Sequence, residues 1–119
     1  MDDLGNFNAR RVRENHHMAE ADRFFQEFGD LERLVYADGA IDEKMKELMG
    51  LAISIATRCD ECVVYHMTRC MELAIDRAKI LESIQIAVTA GGSLTYPQAR
   101  LAFRVLEGSV RSAFDTESE

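Results

Sequence analysis

The chain has 119 residues and a mass of 13.5 kDa, with 47% apolar residues, which suits one globular domain over 1–119 and is too short for two. A net charge of −7 without a basic stripe argues against a nucleic-acid partner. One Pro and seven Gly supply too few turns for an all-β fold, and no run approaches the ~18 apolar residues of a membrane span.

The opening MDDLGNFNARR is acidic and lacks the apolar stretch of a secretory signal, so a cytoplasmic protein is expected. Periodicity is helical from there on. In ARRVRENHHMAEADRFFQEF, residues Val12, Met18, Ala21, Phe24, Phe25 and Phe28 recur at three- and four-residue spacings, which predicts one long or two abutting helices. His16 and His17 stand at helical spacing from Glu14 and Glu20, and we read this as a solvated helix face. Gly29-Asp30 reads as an interruption, followed by a short helix or turn ending near Gly39.

Asp42 caps a helix to about Thr57, with Glu43 in its first turn. A second cap near Cys59 and Asp60 opens a helix to about Ala74. Asp76 caps a third to about Ala90, stopped by Gly91-Gly92. The last helix begins between Ser93 and Pro97 and is expected to reach about Ala113, before a solvated acidic tail at 115–119. Short connections predict antiparallel helix hairpins, hence an all-α fold. Helix 76–90 is apolar on most sides through Ile80, Leu81, Ile84, Ile86 and Val88, so a second subunit is expected to cover it.

The chemistry concentrates in TRCDECVVYH, Thr57 to His66. With three cysteines, two of them within one turn, the chain does not resemble a secreted disulfide framework; closely spaced cysteines of this kind bind metal or do redox work. On a helix starting near Cys59, residues Cys59, Cys62, His66 and Cys70 share one stripe within roughly 80° of arc. The free N–H groups and dipole at the helix start favour a thiolate. His66, one turn beyond Cys62, is suited to take or return its proton. Asp60 and Glu61 oppose a thiolate, while Arg58 and a protonated His66 favour it. Zinc held by Cys59, Cys62, His66 and a distant carboxylate is the alternative, although no second cysteine or histidine pair follows His66. Cys70 reads as a small core residue. Glu47 lies on a helix face with Gly50 and Ser54, small residues that admit close approach; it is a proton acceptor for the thiol site or simply a solvated glutamate among Glu43, Lys44 and Lys46.

The segment KELMGLAISIATRCDECVVYHMTRCMELAIDRAKILESIQIAVTAGGS resembles the core of the AhpD-like, carboxymuconolactone decarboxylase superfamily over roughly residues 40–95. The shared pattern is a glutamate, eleven residues, then Cys-x-x-Cys-x-x-x-His, matched by Glu47, Cys59, Cys62 and His66 in identity and spacing. The resemblance implies an AhpD-like all-α fold assembled as a homotrimer or homohexamer. It further implies an enzyme: a peroxidase or disulfide reductase acting on a small hydroperoxide or disulfide. No cofactor would be bound, and a lipoyl- or thioredoxin-like dithiol donor, carried by a reducing protein partner, would recharge the site. In that scheme Cys62 is the reactive thiol, Cys59 resolves it to a disulfide and exchanges with the donor, and Glu47 serves the relay through His66. Some members carry a second histidine between the cysteines; Asp60 and Glu61 stand there here, which implies weaker peroxidase activity. The complete dithiol set argues against lactone decarboxylation. Two other readings are a decarboxylase on a cyclic acid, worked by His66 and Glu47, and a non-enzymatic helical oligomer that binds zinc or a partner protein.

Overall fold

The computed structural model describes residues 3–108, and among them the regular structure is entirely helical. Six α-helices follow one another: α1 (Asp3–Ala21), α2 (Arg23–Tyr36), α3 (Glu43–Ala56), α4 (Asp60–Glu72), α5 (Arg77–Gly91) and α6 (Tyr96–Leu106). A single 3₁₀ turn, Gly92–Thr95, joins the last two.

The first two helices break one residue after α1, at Asp22, and not at Gly29. Asp22 is extended, and its carboxylate accepts the Phe24 N–H at 2.9 Å, satisfying an orphan donor of α2. Gly29-Asp30 stays helical. Gln26 donates to Asp30 and Arg33 pairs with it across successive turns, which offsets the ~1 kcal/mol helix penalty of a glycine. The expected interruption is therefore absent, and α2 runs on to Tyr36.

The predicted caps of α3 and α4 hold. Asp42 accepts the Met45 N–H at 2.8 Å, and Cys59 is itself the N-cap of α4. Asp76 occupies the cap position of α5 without a side-chain capping bond. Gly91 closes α5 and Gly92, at φ +76°, turns the chain away. α6 ends at Leu106, short of Ala113, because Gly108 adopts φ +79°. Residues 109–113 of that expected helix, and the acidic tail, lie outside the described residues.

α3 packs against both α4 and α5, and α6 lies across α4. Their buried faces interlock as one apolar cluster: Leu48, Leu51 and Ile55 of α3, Val63 and Met67 of α4, Ile80 and Ile84 of α5, Ala102 and Val105 of α6. At ~25 cal/mol per Å² this shared burial is the main term holding the fold. α2 is the exception, since none of its residues is buried; Phe24, Phe28, Leu31, Leu34 and Val35 are all exposed. On α5, by contrast, only Ile86 of the large apolar side chains stands fully outward. No helix among the described residues is long and apolar enough to cross a membrane.

Candidate functional site

The turn between α3 and α4 builds the site. After the C-cap Thr57, Arg58 takes a left-handed conformation at φ 57° and donates its N–H to Ile55 O at 3.0 Å. Cys59 N–H reaches back to Ser54 O, also at 3.0 Å. This paired 5→2 and 6→1 closure consumes the orphan carbonyls of α3. Cys59 thus ends one helix and begins the next. Its Sγ accepts the Cys62 N–H at 3.3 Å, so the first cysteine sits where the dipole of α4 favours negative charge.

Cys59 and Cys62 are joined as a disulfide, with Cα atoms 5.3 Å apart. Cys62 is exposed and Cys59 half-buried. The Cys62 sulfur is therefore bonded to Cys59 and not to His66. Asp60, in the first turn, accepts from Gln98 Nε2 at 2.9 Å, which ties the start of α6 to the dithiol turn.

His66 follows Cys62 by one turn of α4 and is 9% exposed. Its Nδ1 lies 2.8 Å from Glu47 Oε1, across the α3–α4 interface. A carboxylate only accepts, so Nδ1 carries the proton and Nε2 is left as the basic nitrogen. Glu47 is 1% exposed, which rules out the solvated reading. Arg69, a turn further along α4, approaches the other Glu47 oxygen at 3.7 Å and also holds Glu43 at 2.6 Å and Glu72 at 2.5 Å. The Glu72 hydrogen bond, ahead of the opposing effect of burial, raises the Arg69 pKa above its ordinary value.

Two tyrosines flank the imidazole. Tyr65 meets it edge-on with ring centroids 5.0 Å apart, and Tyr36, from the end of α2, lies at 5.4 Å with a 35° tilt. Arg11 of α1 stacks over Tyr65 at 4.9 Å. Burial, then the Glu47 charge, push both phenols above their ordinary range. Gly50 makes this crowding possible: a Cβ there would stand 2.6 Å from His66 Cε1 and 2.7 Å from the Tyr36 hydroxyl. Its smallness admits two side chains, where the spacing alone suggested close approach of a helix backbone.

The four residues singled out by spacing thus lie around one helix hairpin. Cys70 lies apart, fully buried in the core, and burial pushes its thiol up to about 12. His16 pairs with Glu20 at 3.1 Å on an exposed face. Among the described residues no group of three or more His, Cys, Asp or Glu side chains is arranged to hold a metal ion. Tyr36 and Arg69 were not found from sequence. Tyr36 arrives from another helix without a motif, whereas Arg69, at i+3 from His66, carried a helical signal that spacing could have used.

Comparison with known proteins agrees with this architecture. Residues 19–107 match the model of the carboxymuconolactone decarboxylase family. Uncharacterised protein 4 in the cox locus of Paracoccus denitrificans is 30% identical over 77 residues, 65% of this chain and 69% of that protein. A solved carboxymuconolactone decarboxylase family protein of Thermotoga maritima, for which involvement in an antioxidative response has been suggested, is 36% identical. It superposes with a TM-score of 0.80, covering 87% of this chain and 89% of its own. The apo structure of a family member from Legionella pneumophila has a TM-score of 0.75 at 26% identity, covering 91% of this chain and 94% of its own.

Proposed function

The chain belongs to the carboxymuconolactone decarboxylase family, and from that premise we propose that it is a thiol–disulfide oxidoreductase able to reduce small hydroperoxides. The observation that carries this reading is the Cys59–Cys62 disulfide at the start of α4, one turn from a histidine held by a buried glutamate. The antioxidative role suggested for the Thermotoga maritima relative supports the same chemistry.

In the reduced state His66, its Nδ1–H fixed by Glu47, takes the Cys62 proton at Nε2. The Cys62 thiolate attacks the distal oxygen of a hydroperoxide; the O–O bond breaks, the alkoxide takes the proton back as an alcohol, and Cys62 becomes a sulfenic acid. Cys59 then attacks the Cys62 sulfur, closing the disulfide and releasing water. With a disulfide substrate the same thiolate forms a mixed disulfide, which Cys59 resolves with release of the second thiol.

A dithiol donor of lipoyl or thioredoxin type, carried by a reducing protein partner, restores the two thiols. We assign the donor's first attack to Cys62 and not Cys59, because Cys62 is exposed and Cys59 half-buried. Cys59 then leaves as a thiolate already facing the Cys62 N–H. The second donor thiol releases Cys62 and closes the donor's own disulfide. Asp60 and Glu61 beside the sulfurs work against thiolate formation, so modest peroxidase rates are expected.

The working form in this reading is a single-domain protein assembled as a cytoplasmic homotrimer or homohexamer, and the uncovered apolar face of α2 supports the assembly. The test is turnover of hydroperoxide with a dihydrolipoyl donor, together with mass spectrometry of the thiols after one equivalent of peroxide. A Cys59–Cys62 disulfide and complete loss of turnover in Cys62→Ser are expected. Full activity in Cys62→Ser would sink the reading, and activity on a cyclic acid in a double Cys59→Ser, Cys62→Ser variant would favour a decarboxylase.

A further inference from the structure

Nε2 of His66 is the nitrogen through which any proton exchange with Cys62 must pass, because Nδ1 is engaged by Glu47. The surroundings of Nε2 are specific. A Cβ on Gly50 would lie 2.8 Å from Nε2 and 2.7 Å from the Tyr36 hydroxyl, so the two polar atoms converge on one small gap above the glycine. The gap excludes even a methyl group. In the disulfide state the two atoms make no hydrogen bond with each other; both lie within 2.8 Å of the same point above Gly50.

We propose that Tyr36 is a positioning residue of the thiol–histidine pair, its hydroxyl accepting the Nε2–H of His66 once that nitrogen holds the Cys62 proton. The proposal rests on the thiol reading given above and adds a third member to the Glu47–His66 pair, delivered by α2. The proton balance is simple: Cys62 loses its proton, Nε2 gains it, and the phenol keeps its own proton while its oxygen accepts. An imidazolium bonded to Glu47 on one side and Tyr36 on the other is stabilised, and with it the Cys62 thiolate. The raised pKa of the phenol, caused first by burial and then by Glu47, keeps it neutral across the working range. The charged groups facing the two phenols beside the imidazole are Glu47 on α3 and Glu32 on α2, with Arg69 on α4 and Arg11 on α1 acting at Tyr65.

The experiment is a pH profile of Cys62 alkylation by iodoacetamide in the reduced full chain, followed by mass spectrometry so that Cys62 is read apart from Cys59. Tyr36→Phe removes one oxygen and keeps the ring. Alkylation at pH 7 is expected to slow about tenfold, and the rising limb of the profile to move to higher pH. A wild-type profile in Tyr36→Phe overturns the proposal. In a His66→Ala background the same change is expected to cause no further slowing; an equal slowing there would show that Tyr36 acts otherwise than through His66, and overturns it too. If His66→Ala alone leaves Cys62 at wild-type reactivity, the underlying thiol–histidine reading falls, and the Tyr36 assignment falls with it.

Discussion

Glu47 and His66 face each other across α3 and α4 with Oε1 and Nδ1 2.8 Å apart and both side chains withdrawn from water. A carboxylate so buried is costly to keep unless its oxygens are occupied, and here His66 takes one while Arg69 approaches the other. The pair holds the tautomer as well as the position of the imidazole. Glu47→Gln keeps the shape and an acceptor for Nδ1–H but removes the charge that supports an imidazolium. Peroxide turnover is expected to drop by about a hundredfold with little change in melting temperature. Glu47→Leu strands the buried Nδ1–H while Arg69 keeps Glu43 and Glu72, and is expected to destabilise by about 1–3 kcal/mol, read from urea unfolding.

Gly50 carries a separate prediction. An alanine inside a helix ordinarily gains about 1 kcal/mol over glycine. At position 50 that gain meets a Cβ only 2.6 Å from an imidazole edge pinned by Glu47, with the Tyr36 hydroxyl at 2.7 Å. Tyr36 is half-exposed and can swing away, whereas His66 cannot move without leaving Glu47. Overpacking costs about 1–3 kcal/mol, so Gly50→Ala is expected to be net destabilising in denaturant titrations and to lower turnover. Increased stability would show that the ring yields more easily than its hydrogen bond suggests.

The reach of the sequence is visible in these same residues. Cap chemistry is local, so Asp42 and Cys59 marked α3 and α4 correctly, and the Glu47–Cys59–Cys62–His66 spacing was readable because all four lie on one helix hairpin. Between Ala9 and Phe28 the spacing allows two abutting helices without placing the break at Asp22, and Gly29 reads as a breaker although the side-chain pairs that carry α2 through it outweigh glycine's penalty. Tyr36 was invisible for a different reason. It reaches His66 from a helix separated by thirty residues of chain, and no periodicity encodes that meeting.

Arg58 offers a test of the turn itself. A non-glycine residue at φ 57° costs roughly 1 kcal/mol, and the double closure of α3 holds it there. Arg58→Gly is expected to raise stability by about 0.5–1 kcal/mol, the gain being trimmed by the larger unfolded-state entropy of glycine. Arg58→Val is expected to lower it by more than that. The check is a pair of thermal melts on the oxidised protein, which keeps the disulfide constant.

The apolar stripe of α2 predicts assembly. Phe24, Phe28, Leu31 and Val35 recur at four- and three-residue spacings on one side, and Phe28 and Leu31 are each about half exposed, at 51% and 53%. A double Phe28→Glu, Leu31→Glu variant is expected to shift the protein to a smaller species in light scattering without unfolding α3–α6, whose core it does not touch. An unchanged mass would remove α2 from the interface.

Cys70 gives the pH prediction, with its sign. Burial first, then the Glu47 charge, push its thiol from the ordinary 9.0 to about 12, against the opposing pull of Arg69. Between those values the unfolded chain has released this proton while the native chain retains it, so the unfolded state binds fewer protons and stability falls as pH rises. The loss is absent below about pH 9 and grows through the window to about 12. The raised phenols of Tyr36 and Tyr65 add loss of the same sign, beginning near their ordinary 10.0. In Cys70→Ala the cavity lowers stability at every pH. The part of the decline that starts near pH 9 is nevertheless expected to disappear, leaving only the later tyrosine limb. Urea midpoints of oxidised wild type and variant at half-unit steps from pH 8 to 11 separate the two. Parallel declines would mean that the thiol ionises in the native core as readily as in the unfolded chain.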